Sequence, residues 1–253
     1  MDVFQDYAYY YNSFYKEKDY REEAGTVDGI LKKYGSGVKN IINFGCGTGR
    51  HDVWLAKLGY HCKGIDNSPL MVDIAKKNAD SEGISVDFET ADIRDYKDGK
   101  TYDAVISLFH VMSYQITNED ILRAFRAARE LLRQTGSLFV FDVWYGPGVL
   151  SDRPAVRIKE AEDDAYRLVR LARPVMHDKE NTVEVNYEVF AIDKQSGHVQ
   201  VINEVHNMRY FFRPELEWLL AEAGFELLDQ MDCQTLGETD YHSWTSYFVA
   251  KPV

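Results

Sequence analysis

The sequence predicts an α/β protein: a doubly wound, mostly parallel sheet that carries an antiparallel β insertion. Three observations lead there. Between residues 39 and 141, short apolar runs alternate with stretches of helical period, the pattern of strand–helix–strand crossovers. A glycine-rich loop, Gly45-Cys46-Gly47-Thr48-Gly49, stands between the first apolar run and the first helix of that series. From about 157 to 212 the period becomes strand-like, with no helix between the runs.

The first segment, 4–20, is dense in aromatics: Tyr7, Tyr9, Tyr10, Tyr11, Phe14, Tyr15 and Tyr20. It reads either as a helical arm packing its rings on the body or as a lid over a site. A helix over 26–34 ends at Gly35-Ser36-Gly37. Strands follow at 39–44, 61–65, 85–89, 102–108 and 138–141, with helices at 50–58, 69–79 and 119–133. Pro69 sits at the favoured first turn of its helix, and Ile121, Leu122, Phe125, Leu131 and Leu132 make an apolar stripe on the last. Insertion strands are expected at 166–171, 182–192 and 199–211, separated by polar turns. A helix over 214–223 stops at Gly224, and strands at 225–231 and 243–250 close the chain. Only a loop joins those two, too short for a parallel crossover, so they should be antiparallel. The expected domains are 1–148, an arm and ligand-binding core; 149–211, the insertion; and 212–253, the end of the core.

The chain has 253 residues, enough to bury a sizeable core, and 45% hydrophobic with 28% charged residues is ordinary globular composition. With 29 basic against 41 acidic side chains, the net charge is −12. That argues against a general nucleic-acid binder, which needs a basic face. Cys46, Cys62 and Cys233 form no C-x-x-C pair, so neither a disulfide framework nor a zinc or other metal site is expected. Met1 to Asp6 lacks the marks of a signal peptide and no apolar run suits a membrane span, so the expected location is the cytoplasm, away from membranes.

Glycines in the loop permit positive φ and close approach of a ligand to the backbone. Arg50 stands where a nicotinamide-binding G-x-G-x-x-G would need its last glycine, and the lysine of a P-loop is absent. Asp66 closes the second strand in Gly64-Ile65-Asp66, where a carboxylate can take both hydroxyls of a ribose. Asp92, in Ala91-Asp92-Ile93 just past the third strand, can accept from an adenine amino group while Ile93 packs on the ring.

The loop, Gly64-Ile65-Asp66, Ala91-Asp92-Ile93 and Tyr102-Asp103-Ala104-Val105 together resemble the ordered motifs of class I S-adenosylmethionine-dependent methyltransferases. The resemblance implies a Rossmann-like, seven-stranded sheet whose final strand is antiparallel. It implies S-adenosyl-L-methionine as cofactor, held by Tyr11, Tyr20, Gly45, Cys46, Gly47, Asp66, Asn67, Met71, Asp92, Ile93 and Leu108. One departure is Asn43, where the family usually has an acid two residues before the first glycine; the amide oxygen can still accept. Tyr11-Asn12-Ser13-Phe14-Tyr15, Lys18-Asp19-Tyr20, Ser107-Leu108-Phe109, Phe141-Asp142-Val143-Trp144-Tyr145 and the β-rich insertion are similar to the sugar N-methyltransferases, which act on dTDP-linked amino-deoxyhexoses. That likeness implies tyrosines closing over the cofactor and a homodimer built on the insertion.

Methyl transfer from a sulfonium is an in-line displacement in which positioning supplies most of the effect. His110, at the end of the fourth strand, is the first candidate base, since ligands bind at the carboxyl ends of parallel strands. Tyr11, Tyr15 and Tyr145 are candidates to line an acceptor pocket, with Tyr11 and Tyr15 placed beside His110 as catalytic candidates. His206 reads as sheet surface and Asp240-Tyr241-His242 as pocket edge. Arg153, Arg157, Arg167, Arg170, Arg173, Arg209 and Arg213, interleaved with Glu160, Glu162, Asp163 and Asp164, read as a solvated face. No Ser–His–Asp set announces deprotonation of a hydroxyl, so the expected acceptor is an amine on a nucleotide-linked sugar. The alternatives are an oxygen, carbon or small-amine acceptor, or a cofactor-binding protein without catalysis.

Overall fold

The computed structural model describes residues 7–253. The reading of Met1 to Asp6, and the first residues of the aromatic arm, lie outside the described residues. The arm contains helix α1 (Ala8–Phe14). Helix α2 (Tyr20–Tyr34) starts six residues before the expected position, because Asp19 caps it by accepting from the Glu22 amide. Its stripe of Tyr20, Ala24, Val27, Ile30 and Leu31 is buried.

The core then runs β1 (Asn40–Phe44), α3 (Arg50–Lys57), β2 (His61–Asp66), α4 (Pro69–Ser81), β3 (Asp87–Thr90), β4 (Ala104–Ser107), α5 (Asn118–Leu131) and β5 (Leu138–Tyr145). Ser68 caps α4, and Thr117 caps α5 by accepting from the Asp120 amide. Beyond β5 come a short helix, α6 (Gly146–Ser151), and four strands: β6 (Arg157–Glu162), β7 (Tyr166–His177), β8 (Thr182–Asp193) and β9 (Val199–Phe211). The chain closes with α7 (Arg213–Glu222), β10 (Phe225–Asp232) and β11 (Thr245–Pro252).

The core strands stand in the order β3-β2-β1-β4-β5-β11-β10. The first five are parallel, and β11 runs antiparallel to both β5 and β10, as expected for strands joined by a loop. One face carries Phe139, Phe141, Phe225 and Phe248, which meet Phe125 of α5 and Leu216, Leu219 and Leu220 of α7. The other buries Val27, Leu31, Ile41, Leu55, Ile106 and Val249 under α2 and α3.

The insertion is an antiparallel ladder, β6-β7-β8-β9. Its backbone joins the core where Trp144 and Tyr145 of β5 pair in parallel with Tyr210 and Phe211. The inner face, with Leu168, Val189, Ala191 and Ile202, packs against Tyr7, Tyr10, Tyr11 and Phe14 of the arm and Met71 of α4. Strand β6 was not legible in the sequence as a separate strand: it is an exposed edge, so neither face imposes an apolar alternation.

Candidate active site

The glycine loop opens where β1 ends. Gly45 has φ 74°, and a Cβ there would stand 2.5 Å from the Val111 methyls. Gly47 has φ 54°, and a Cβ on it would meet no atom within 4 Å. The first glycine therefore lets the loop pack, and the second leaves bare backbone facing open space. Asp66, at the end of β2, locks the loop: its Oδ2 accepts from the Gly47 amide and its Oδ1 from the Ser68 amide, each at 2.9 Å. Burial pushes the Asp66 carboxyl up, against the lowering effect of these two hydrogen bonds. Each oxygen retains a further lone pair for a ligand.

Beside the loop lies a cavity of about 310 Å³. One half is walled by Gly45, Cys46, Gly47, Asp66, Met71 and Tyr20; the other by Tyr114, Trp144, Tyr187, His206 and Met208. Tyr11, Tyr15, Leu108 and His110 also line it. Asn67, Asp92, Ile93 and Tyr145 do not. Asp92 is engaged by Arg94, accepting from its amide and guanidinium, and Arg94 in turn reaches Asp120 at 2.9 Å. Burial is outweighed there by Arg94, which holds the Asp92 carboxyl below its ordinary value.

His110 follows Phe109, and both are left-handed, at φ 67° and 65°. Two consecutive non-glycine residues in that region store strain of roughly 1–3 kcal/mol each, a hallmark of functional loops. Asp142 of β5 compensates. It is buried, accepts from the His110 amide at 3.1 Å, and its Oδ2 lies 2.6 Å from His110 Nδ1. Asp142 stood in the sequence only within the motif Phe141-Asp142-Val143-Trp144-Tyr145; nothing local announced its partner, which is 32 residues away.

His206 requires a correction. It is 2% exposed and lines the cavity rather than the outer sheet surface. Its side belongs to the inner face of β9, which the arm and the core cover. Its Nδ1 is 2.8 Å from Tyr114 Oη and its Nε2 3.1 Å from Glu204 Oε2. The arginine cluster likewise divides. Arg153, Arg167 and Arg173 are exposed. Arg209 is buried, donating to Ile116 O and Asn118 Oδ1 and pairing with Glu215. Arg170 points inward to the arm, donating to Tyr7 Oη at 2.5 Å and Tyr15 Oη at 3.3 Å, with its guanidinium 4.8 Å from the Tyr187 ring centre. Burial pushes the phenols of Tyr7, Tyr11 and Tyr20 above their ordinary values, so all three stay neutral.

Asn43 is buried at the base of the loop. Its Nδ2 donates to Asp52 Oδ2 at 2.9 Å, while its Oδ1 has no hydrogen-bond partner among the described residues. Burial raises the Asp52 carboxyl to about 7.

Residues 41–136 match the model of the methyltransferase domain. A chain of Geobacillus sp. (strain WCH70) named as a methyltransferase is 26% identical, over 98% of this chain and 99% of its own length. The dTDP-3-amino-3,4,6-trideoxy-α-D-glucopyranose N,N-dimethyltransferase of Streptomyces venezuelae is 25% identical over 88% of this chain and 91% of its own. The crystal structure of an S-adenosylmethionine-dependent methyltransferase from Clostridium acetobutylicum ATCC 824 superposes with a TM-score of 0.83 at 18% identity, covering 99% of both chains. The domain match, the relatives along the whole chain and the fold are all similar to S-adenosylmethionine-dependent methyltransferases. Among the proteins it resembles are N,N-dimethyltransferases named for dTDP-amino sugars.

Proposed function

We propose that the enzyme methylates the amine of a nucleotide-linked amino sugar. The carrying observation is a cavity that joins the glycine loop and Asp66 to an aromatic, histidine-bearing wall to which the insertion contributes Tyr187, His206 and Met208. The full-length relative from Streptomyces venezuelae, named for a dTDP-amino sugar, supports the acceptor class.

The residues fit S-adenosylmethionine. Gly47 presents backbone to open space, Asp66 keeps lone pairs for ribose hydroxyls, and Asn43 holds an unpaired Oδ1. Gly45, Cys46, Gly47, Asp66, Met71, Leu108, Tyr11 and Tyr20 would hold the cofactor, with Asn67, Asp92 and Ile93 as further contacts from the loops beside it. Bound there, it supplies an electrophilic methyl group on a sulfonium. The aromatic wall excludes water, and Tyr11 and Tyr15 orient the acceptor with their hydroxyls. His110, aligned by Asp142, takes the proton released as the nitrogen–carbon bond forms. A second reading, transfer to a hydroxyl, gains support from the two histidine–carboxylate pairs, since a hydroxyl needs a base more than an amine does. Labelled S-adenosylmethionine incubated with dTDP-amino sugars beside their hydroxyl counterparts separates the two. Label found on nitrogen is the expected result, and label found only on oxygen or carbon would end the amine reading.

We also propose three units, 1–148, 149–211 and 212–253, acting in the cytoplasm, and a two-fold dimer through the insertion. The outer face of the insertion carries exposed Ile158, Val175, Val199 and Val201 in one plane of the ladder, opposite the face that packs on the arm.

A further inference from the structure

We propose that Tyr114, His206 and Glu204 form a proton relay that opens into the insertion side of the cavity and strips the acceptor ammonium of its proton before methyl transfer. This rests on the amine reading above. Most aliphatic amines are ammonium ions near neutral pH, and an ammonium has no lone pair to attack with. At least one proton must therefore leave per methylation, and it must leave before attack. A proton lost after the bond forms can go to the His110–Asp142 pair.

The second exit is built on β9 and the 3-10 turn Val111–Tyr114 that follows His110. Glu204 and His206 are two residues apart on β9, so both face inward. Both imidazole nitrogens are engaged, one by Glu204 at 3.1 Å and the other by Tyr114 at 2.8 Å. Glu204 is itself held, its Oε1 accepting from the Tyr7 amide at 3.2 Å. With Glu204 ionised, Nε2–H donates to it and Nδ1 accepts from the Tyr114 hydroxyl. Tyr114 and His206 both line the cavity, and the Tyr187 ring stands 4.7 Å from the imidazole, edge to face.

The step balances within these groups. The acceptor N–H proton passes to Tyr114 Oη as the Tyr114 hydroxyl proton passes to His206 Nδ1. The nitrogen keeps its lone pair, and the imidazolium charge faces the Glu204 carboxylate. Burial holds the Tyr114 phenol well above its ordinary value, so Tyr114 works by handing a proton on, never as a standing phenolate. Among the described residues, the other titratable or charged groups around the relay include Tyr7, Tyr11, Tyr15 and Tyr187, with Arg170 over the Tyr187 ring.

A network that only pinned β9 to the turn would leave the same damage at every pH when cut. The test is kcat/KM for dTDP-3-amino-3,6-dideoxy-α-D-glucopyranose from about pH 6 to about pH 10, in wild type, Tyr114→Phe and His206→Gln. Both variants are first checked for unchanged S-adenosylhomocysteine affinity, which shows that they fold. The expected result is a loss of ~10²-fold near neutral pH that shrinks toward wild type at the alkaline end, where the amine arrives already neutral. Variants that match wild type, or whose loss is constant with pH, overturn the relay while leaving the amine reading intact. A wild type that methylates only the hydroxyl counterpart, or neither, overturns both. Should one variant fail to fold, the other carries the same comparison.

Discussion

Single side chains divide into those whose role is local and those whose role is assembled. Asp66 belongs to the first group, since its position at a strand end beside a glycine loop was readable from spacing alone. Replacing it by Ala should weaken S-adenosylhomocysteine binding by about 1.5–3 kcal/mol, the loss of charge-assisted hydrogen bonds. Titration calorimetry measures this, and undiminished affinity would falsify the ribose assignment. Asp52 carries a different consequence. Its carboxyl titrates near 7 when folded because it is buried, against an ordinary value of 3.8 in the unfolded chain. Below the unfolded value both states are protonated and the contribution is fully present. As pH rises toward 7 the unfolded chain ionises while the folded one does not, so stability falls, by on the order of 4 kcal/mol. Asp52→Asn should flatten that decline in urea melts at about pH 5 and about pH 8; parallel profiles for the two proteins would rule the explanation out. Asp142, Glu204, His206 and the inward turn of Arg170 belong to the assembled group. Their partners lie on other elements, and a strand's alternation does not say which face becomes the wall of a site.

Among the elements, those that repeat a period were legible and those that answer to a single neighbour were not. β1, β2, α4 and α7 fall within a residue or two of expectation because their apolar faces meet a sheet or a helix layer. α2 was read short because its first turn depends on the Asp19 cap and on tyrosine burial rather than on aliphatic spacing. β6 was lost because it is an edge. For the aromatic arm, the sequence supported packing and lid alike, and α1 in fact meets the insertion sheet while its Tyr11, with Tyr7 and Tyr15 just beyond its ends, lines the cavity. Arg170 fastens it. Arg170→Met keeps the packing volume and removes the hydrogen bonds to Tyr7 and Tyr15. Hydrogen exchange across α1 should then speed up several-fold and the acceptor KM should rise, at little cost to the melting temperature. Unchanged exchange in the arm would show that the rings alone hold it down.

For the molecule as a whole, the outer insertion face makes the dimer testable. Ile158, Val175, Val199 and Val201 present apolar surface on a sheet with one face already covered. Light scattering at micromolar concentration should give twice the 29.2 kDa chain mass, and Val201→Lys should return it to one. A wild type of single mass would remove the dimer. The distribution of backbone pairing has another consequence, for descent rather than assembly. Among the described residues, the insertion's backbone ladder meets the core only at Trp144–Tyr210 and Tyr145–Phe211, whereas the glycine loop and Asp66 are fixed by strands on the far side of β4. Random changes on the inner faces of β7, β8 and β9 therefore reshape the wall that meets the acceptor without shifting the register that shapes the donor side. Across generations, such a chain can trade one sugar for another while the half that handles the methyl group is inherited unaltered.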